Sequence, residues 1–281
     1  MSTMQSRAPA VTVAAPAGPA PLSAIALQTA AIIAVLAIPT LIALFLDERQ
    51  INGVGVWHKP LKFEASLVVH LVTIGLLAGL LTLEASRERL IRWAYQITAF
   101  AALAEIGYIV LQSARGRASH FNFTTDFERT MYSVMGGGAV LIVMAAFVIG
   151  YALLNNAKPS AGRGLRMGGA WGLMLGAVAT VLVGGVLSSG AISGPGHWVG
   201  GIHSDAAGLP LTDWSTIGGD LRVPHFFATH MMQAVPLLGL TADRLFPRYG
   251  AAIVVIGAIA FIGLVALTFA EAVAGIPFIR A

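Results

Sequence analysis

No cysteine occurs among the 281 residues, and charged side chains make up only 11% of them. The first absence excludes disulfides, thiolate metal ligands and a cysteine nucleophile, and leaves the compartment open. The second, beside a hydrophobic share of 57%, excludes an ordinary soluble domain and places the chain in the membrane class. The long apolar runs lack period-two alternation, which argues against barrel strands. Also lacking is a compact basic stretch followed by a short apolar core and a cleavage site. The first residues, ending VTVAAPAGPAPLS, therefore read as an Ala/Pro-rich tail rather than a leader. No fixed-period repeat and no second soluble domain is visible.

What is present is a series of runs near the ~20 apolar residues needed to cross a ~30 Å hydrocarbon core. Seven are expected, at 23–46, 63–84, 91–113, 131–155, 167–190, 223–245 and 250–273. The fold class is all-α, a polytopic transmembrane helical bundle. A disordered tail covers 1–22, and one transmembrane domain covers 23–281, with a long extracytoplasmic loop at about 191–222.

Lysine and arginine in short loops set orientation. Arg87, Arg89, Arg92, Lys158, Arg163, Arg166, Arg244 and Arg248 crowd three short connections. Arg49, Lys59, Lys62, Arg115, Arg117, Arg129, Arg222 and Arg280 spread over longer segments on the other side. The compact set is placed in the cytoplasm, giving a multi-pass protein of the cell inner (plasma) membrane, N-terminus inside and C-terminus outside. Basic loops then account for the net charge of +4 without a nucleic-acid partner.

On that topology VWHKPLKFEAS (56–66), QSARGRASHFNFTTDFER (112–129) and the loop 194–226 share the extracytoplasmic face, and all seven histidines lie in them or in helices opening from them. At ~1.5 Å per residue, His70, Glu105 and His230 reach roughly one depth inside the bilayer. Ionisable groups at depth are costly unless paired or ligated. Glu105, Tyr108 and Gln112 form one polar stripe. Ser66 stands four residues before His70 and is expected to orient its imidazole. His225 and His230, five apart, point in different directions on a helix, with Pro224 suiting the first turn. His225 is expected at a frayed entrance.

Other features read structurally. Gly168, Gly172, Gly176 and Gly184 form a small-residue stripe for close helix packing. Gly136, Gly137 and Gly138 serve either packing or room for a flat cofactor. TDFE (125–128) is a capping box. Trp57, Trp198, Trp214, Phe121 and Phe123 suit an interfacial belt.

KPLKF (59–63), RGRASHFN (115–122) and GDLRVPHFFATH (219–230) resemble stretches shared by a family of bacterial multi-pass inner-membrane proteins of unassigned function. That resemblance implies Lys62, Arg115, His120, Arg222, His225 and His230 as defining positions. SLVVH (66–70) is similar to one element of the ceramidase and progestin-receptor-like seven-helix membrane hydrolases. HFFATH (225–230) is one residue too long for their last ligand pair.

Three functional classes follow. In the first, histidines ligate haem b in a membrane oxidoreductase. His70, His120, His225 and His230 are the candidate ligands, and Lys62, Arg115 and other rim cations pair the propionates. In the second, His70, His225 and His230 hold zinc or iron that activates water or oxygen against a lipid-like substrate. In the third, the chain is a transporter or assembly subunit. Glu105, Asp220 and Arg222 are the candidate catalytic groups. The bilayer is the expected surrounding, with a quinone, a lipid-like substrate or a redox protein as the expected partner.

Overall fold

The computed structural model describes residues 21–206 and 208–280. Their order is α1 (Pro21–Leu46), β1 (Gln50–Ile51), β2 (Val54–Gly55), α2 (His58–Ala78), α3 (Leu83–Arg87), α4 (Arg89–Ala114), α5 (Asp126–Asn156), α6 (Arg163–Ser189), β3 (Trp198–Val199), β4 (Gly219–Asp220), α7 (Arg222–Leu245) and α8 (Gly250–Val273). The strands form two short antiparallel pairs, β1 with β2 and β3 with β4. The chain is an all-α bundle.

Six of the long helices are long and apolar enough to cross a membrane, namely α1, α2, α4, α5, α6 and α8. The expected count of seven is corrected by α7, which forms where the seventh span was expected but is not apolar enough. His225, His230, Gln233, Asp243 and Arg244 dilute it. Its polar groups are tolerated because α7 packs along α6 and α8, with buried Met231, Met232 and Val235 at the contact. A Cβ at Gly168 would lie 2.6 Å from the Val235 carbonyl oxygen, and one at Gly176 2.6 Å from Met232. The glycine stripe of α6 thus lets the α7 backbone approach.

The second span also ends earlier than expected. After Ala78 the chain turns, the Thr82 amide donates to the Asn156 carbonyl, and the Lys158 amide donates to Leu80. The Thr82 side chain then caps α3 by accepting from the Ala85 amide. The expected tail is shorter too, since Pro21 and Leu22 belong to α1 and Leu22 is buried. Its first twenty residues lie outside the described part of the chain.

Helix ends follow local chemistry. Thr125 accepts from the Glu128 amide and starts α5 as a capping box. The Asp243 carboxylate accepts from the Gly164 and Leu165 amides, both at 2.8 Å, and so caps α6 from α7. α6 stops at Gly190, whose φ of +66° suits a residue without a Cβ. The main apolar core joins α1, α2, α4, α5 and α6, and smaller clusters seat α7 and α8 against α6.

Candidate functional site

The loop ends gathered in the sequence reading do meet at one end of the bundle. Asn52 accepts from the Asp205 amide and the Ser204 hydroxyl. Lys62 donates to Asp213 at 2.5 Å and to the Thr212 carbonyl. Arg49 reaches the Ala114 carbonyl, and the Tyr132 hydroxyl donates to the Ser188 carbonyl. Residues 190–206 and 208–221 therefore form a cap tied to the start of α2.

Arg222 is the centre of that cap. Its guanidinium donates to Asp220 at 2.6 Å, to Asp205 at 2.8 Å and to the Asp213 carbonyl at 2.5 Å. Asp220 also accepts from the Ser215 amide, and His197 Nε2 lies 3.1 Å from Asp205. Burial works against the charge on Asp205, but His197 and Arg222 hold its pKa below the ordinary value. His197 itself is pushed down, burial outweighing Asp205. Asp220 and Arg222, taken from the sequence as catalytic, are committed to holding the loop. Lys62 is engaged likewise, and exposed Arg115 donates to Gln112 at 2.7 Å.

Beneath the cap the imidazoles face the interior. His120 lies in the α4–α5 connection beside Phe63 and Tyr132, with the Ser119 hydroxyl 3.1 Å from Nδ1. Burial, then the charges of Lys59 and His225, pushes its pKa well below 6.5. His230 Nδ1 sits 3.2 Å from Gln233 Oε1, and Gln233 Nε2 sits 3.4 Å from His70 Nδ1. Ser66 does not orient His70 as the spacing suggested; Gln233, arriving from α7, does. His225 is helical rather than frayed and packs against Gly184. Its Nδ1 and His70 Nε2 are buried without a hydrogen-bond partner.

The α4 stripe is buried at Glu105, Tyr108 and Gln112. Gln112 donates to Glu128, which pairs with Arg117. The Tyr108 hydroxyl and Glu105 Oε1 have no partner. Glu105 does not join the His70–Gln233–His230 bridge. Its Oε1 lies against Gly138, where a Cβ would stand 2.6 Å away. Gly136 and Gly137 border open space rather than a packed helix. Trp198 stacks on His203 and Trp214 is buried, so both belong to the cap instead of an interfacial belt.

Among the described residues, no three His, Asp or Glu side chains are grouped to hold one ion. Gln233, Asp205, Asp213 and His197 were not among the sequence candidates. Gln233 carries a signal, since it follows His230 by one helical turn, but loop partners have no period to betray them. The chain matches no protein-family model, no curated protein and no solved structure.

Proposed function

We propose that this membrane-embedded helical protein binds haem b through the buried histidines of α2 and α7 and works as a membrane oxidoreductase. The observation that carries the reading is the pair of buried, unpartnered imidazole nitrogens, His70 Nε2 and His225 Nδ1. A buried polar atom without a partner costs about 1–3 kcal/mol, and ligation removes that cost. Haem needs one or two imidazoles, whereas a zinc or iron hydrolase site needs a convergent set of donors.

A b-type haem supplies reversible one-electron transfer. The chain's own residues do the rest. With Gln233 Oε1 accepting from His230 Nδ1 and Gln233 Nε2 donating to His70 Nδ1, His230 keeps a bare Nε2 and the His70 proton sits on Nε2, so His70 becomes a ligand only with the Gln233 amide turned over. His225 offers a second imidazole one and a half turns earlier on α7. Lys59 is the interior cation that remains available for a propionate. Its ammonium lies 5.6 Å from the Phe63 ring centroid and has no ion pair among the described residues. The Arg222 network holds the loop over the polar end.

Absorbance spectra of detergent-purified protein, oxidised and then reduced, test the reading. Wild type is expected to show a haem spectrum, and His225→Ala to lose or alter it. Wild type without haem, when expressed with ample haem precursor, overturns the proposal. The orientation is part of the same reading. Reporters after residues 88 and 162 are expected inside and those after 118 and 208 outside, and a reporter after 246 reads inside when α7 crosses between α6 and α8 and outside when only the six apolar helices cross. Reversal at two of these points moves the polar end to the cytoplasm.

A further inference from the structure

A groove of about 880 Å³ runs between α4 and α5, lined by Trp93, Phe100, Gly136, Gly137 and Glu105 among others. Phe100 is 76% exposed and Val134 57%, so the groove opens on the outer, apolar face of two candidate spans. From Trp93 to Glu105 it extends roughly 18 Å at ~1.5 Å per residue, close to the ~15 Å of one leaflet's hydrocarbon. Its glycine wall has no side chains, and nothing lies within 4 Å of a Cβ built at Gly136 or Gly137.

The shallow end of the groove is not apolar. A second pocket of about 380 Å³ is lined by Arg87, Arg89 and Arg92, and it shares Trp93 and Gln96 with the first. The three arginines are exposed and form no ion pair among the described residues. One end of a continuous slot is thus cationic and the rest is apolar over the depth of a leaflet.

We infer that this slot binds an anionic glycerophospholipid, its phosphate among Arg87, Arg89 and Arg92 and one acyl chain along Gly136 and Gly137. The charge complement selects the headgroup, because juxtamembrane arginines draw anionic lipid and are neutral toward a zwitterion's net charge. The missing side chains on α5 give the chain a bed that a flat helix face lacks. Glu105 closes the deep end near mid-bilayer. The inference requires only that the chain is membrane-embedded and is independent of haem.

Native mass spectrometry of delipidated full-length protein, titrated with phosphatidylglycerol or with phosphatidylcholine of identical chains, tests it. Wild type is expected to prefer phosphatidylglycerol by roughly ten-fold or more. The triple variant Arg87→Gln/Arg89→Gln/Arg92→Gln is expected to lose that preference, while Arg244→Gln/Arg248→Gln, which removes exposed arginines elsewhere, retains it. Gly137→Phe is expected to weaken both lipids alike by filling the groove. Melting temperatures confirm that each variant is folded. Equal binding of both lipids by wild type, an equal loss in the Arg244/Arg248 control, or unchanged binding by Gly137→Phe overturns the inference.

Discussion

His230 Nδ1 and Gln233 Oε1 stand 3.2 Å apart on consecutive turns of α7, and the far end of the same amide faces His70 on α2. One amide therefore couples the tautomers of two imidazoles on different helices. Replacing Gln233 by Leu leaves both rings free to rotate. On the haem reading proposed above, the expected outcome is a broadened haem spectrum and haem affinity lower by roughly ten-fold, the usual effect of losing a ligand's supporting hydrogen bond. Gln233→Glu accepts from both rings, so haem is expected to stay bound with a lowered midpoint potential. Redox titration of the two variants beside wild type reads both effects.

Arg222→Gln is expected to act on the fold before it acts on any cofactor. Asp205 and Asp220 are buried and rely on this guanidinium, and breaking a buried pair from one side costs about 3–5 kcal/mol. Thermal melting in detergent and protease sensitivity of residues 190–221 report it. A variant that melts like wild type removes Arg222 from the role described.

Stability is expected to fall as pH drops below about 6.5. The imidazoles of His120 and His197 are held below 6.5 mainly by burial, whereas in the unfolded chain they take up protons near that value. Protons then favour the unfolded state. The depressed carboxyl of Asp205 titrates below its ordinary 3.8 and does not enter the window from pH 8 to 5. Melting temperature across that window gives the slope, which His120→Gln is expected to reduce.

The two glycine series are expected to respond oppositely. Gly168→Ala pushes a methyl against the Val235 carbonyl and is expected to cost about 1–3 kcal/mol by overpacking. Gly137→Ala meets nothing within 4 Å and is expected to stabilise α5 by up to about 1 kcal/mol. Paired melting curves separate them, and a shift of the same sign in both contradicts the packing described.

Much of this architecture was legible because its physics is local. Runs of apolar residues announce helices, Thr125 and Glu128 announce a cap, and glycines at 168, 172 and 176 announce a tight helix contact. The identity of a site is less local. Arg222 reads as a free cation until Asp205, seventeen positions away in an aperiodic loop, is seen to claim it. Ser66 and His70 share a helix face, yet the partner of His70 comes from residue 233, 163 positions on. The glycines at 136 and 137 look like the packing stripe of α6, and only the absence of a neighbour within 4 Å distinguishes them. Composition also overstated α7, whose polar side chains are affordable only because α6 and α8 flank it.

The cap that Lys62 and Asp213 clasp is stitched from residues 151 positions apart. Closing a loop over such a separation costs chain entropy that only the contacts of the finished bundle offset. Undoing that one ion pair is therefore expected to loosen the cap over His70, His225 and His230 while the helices beneath it stay packed.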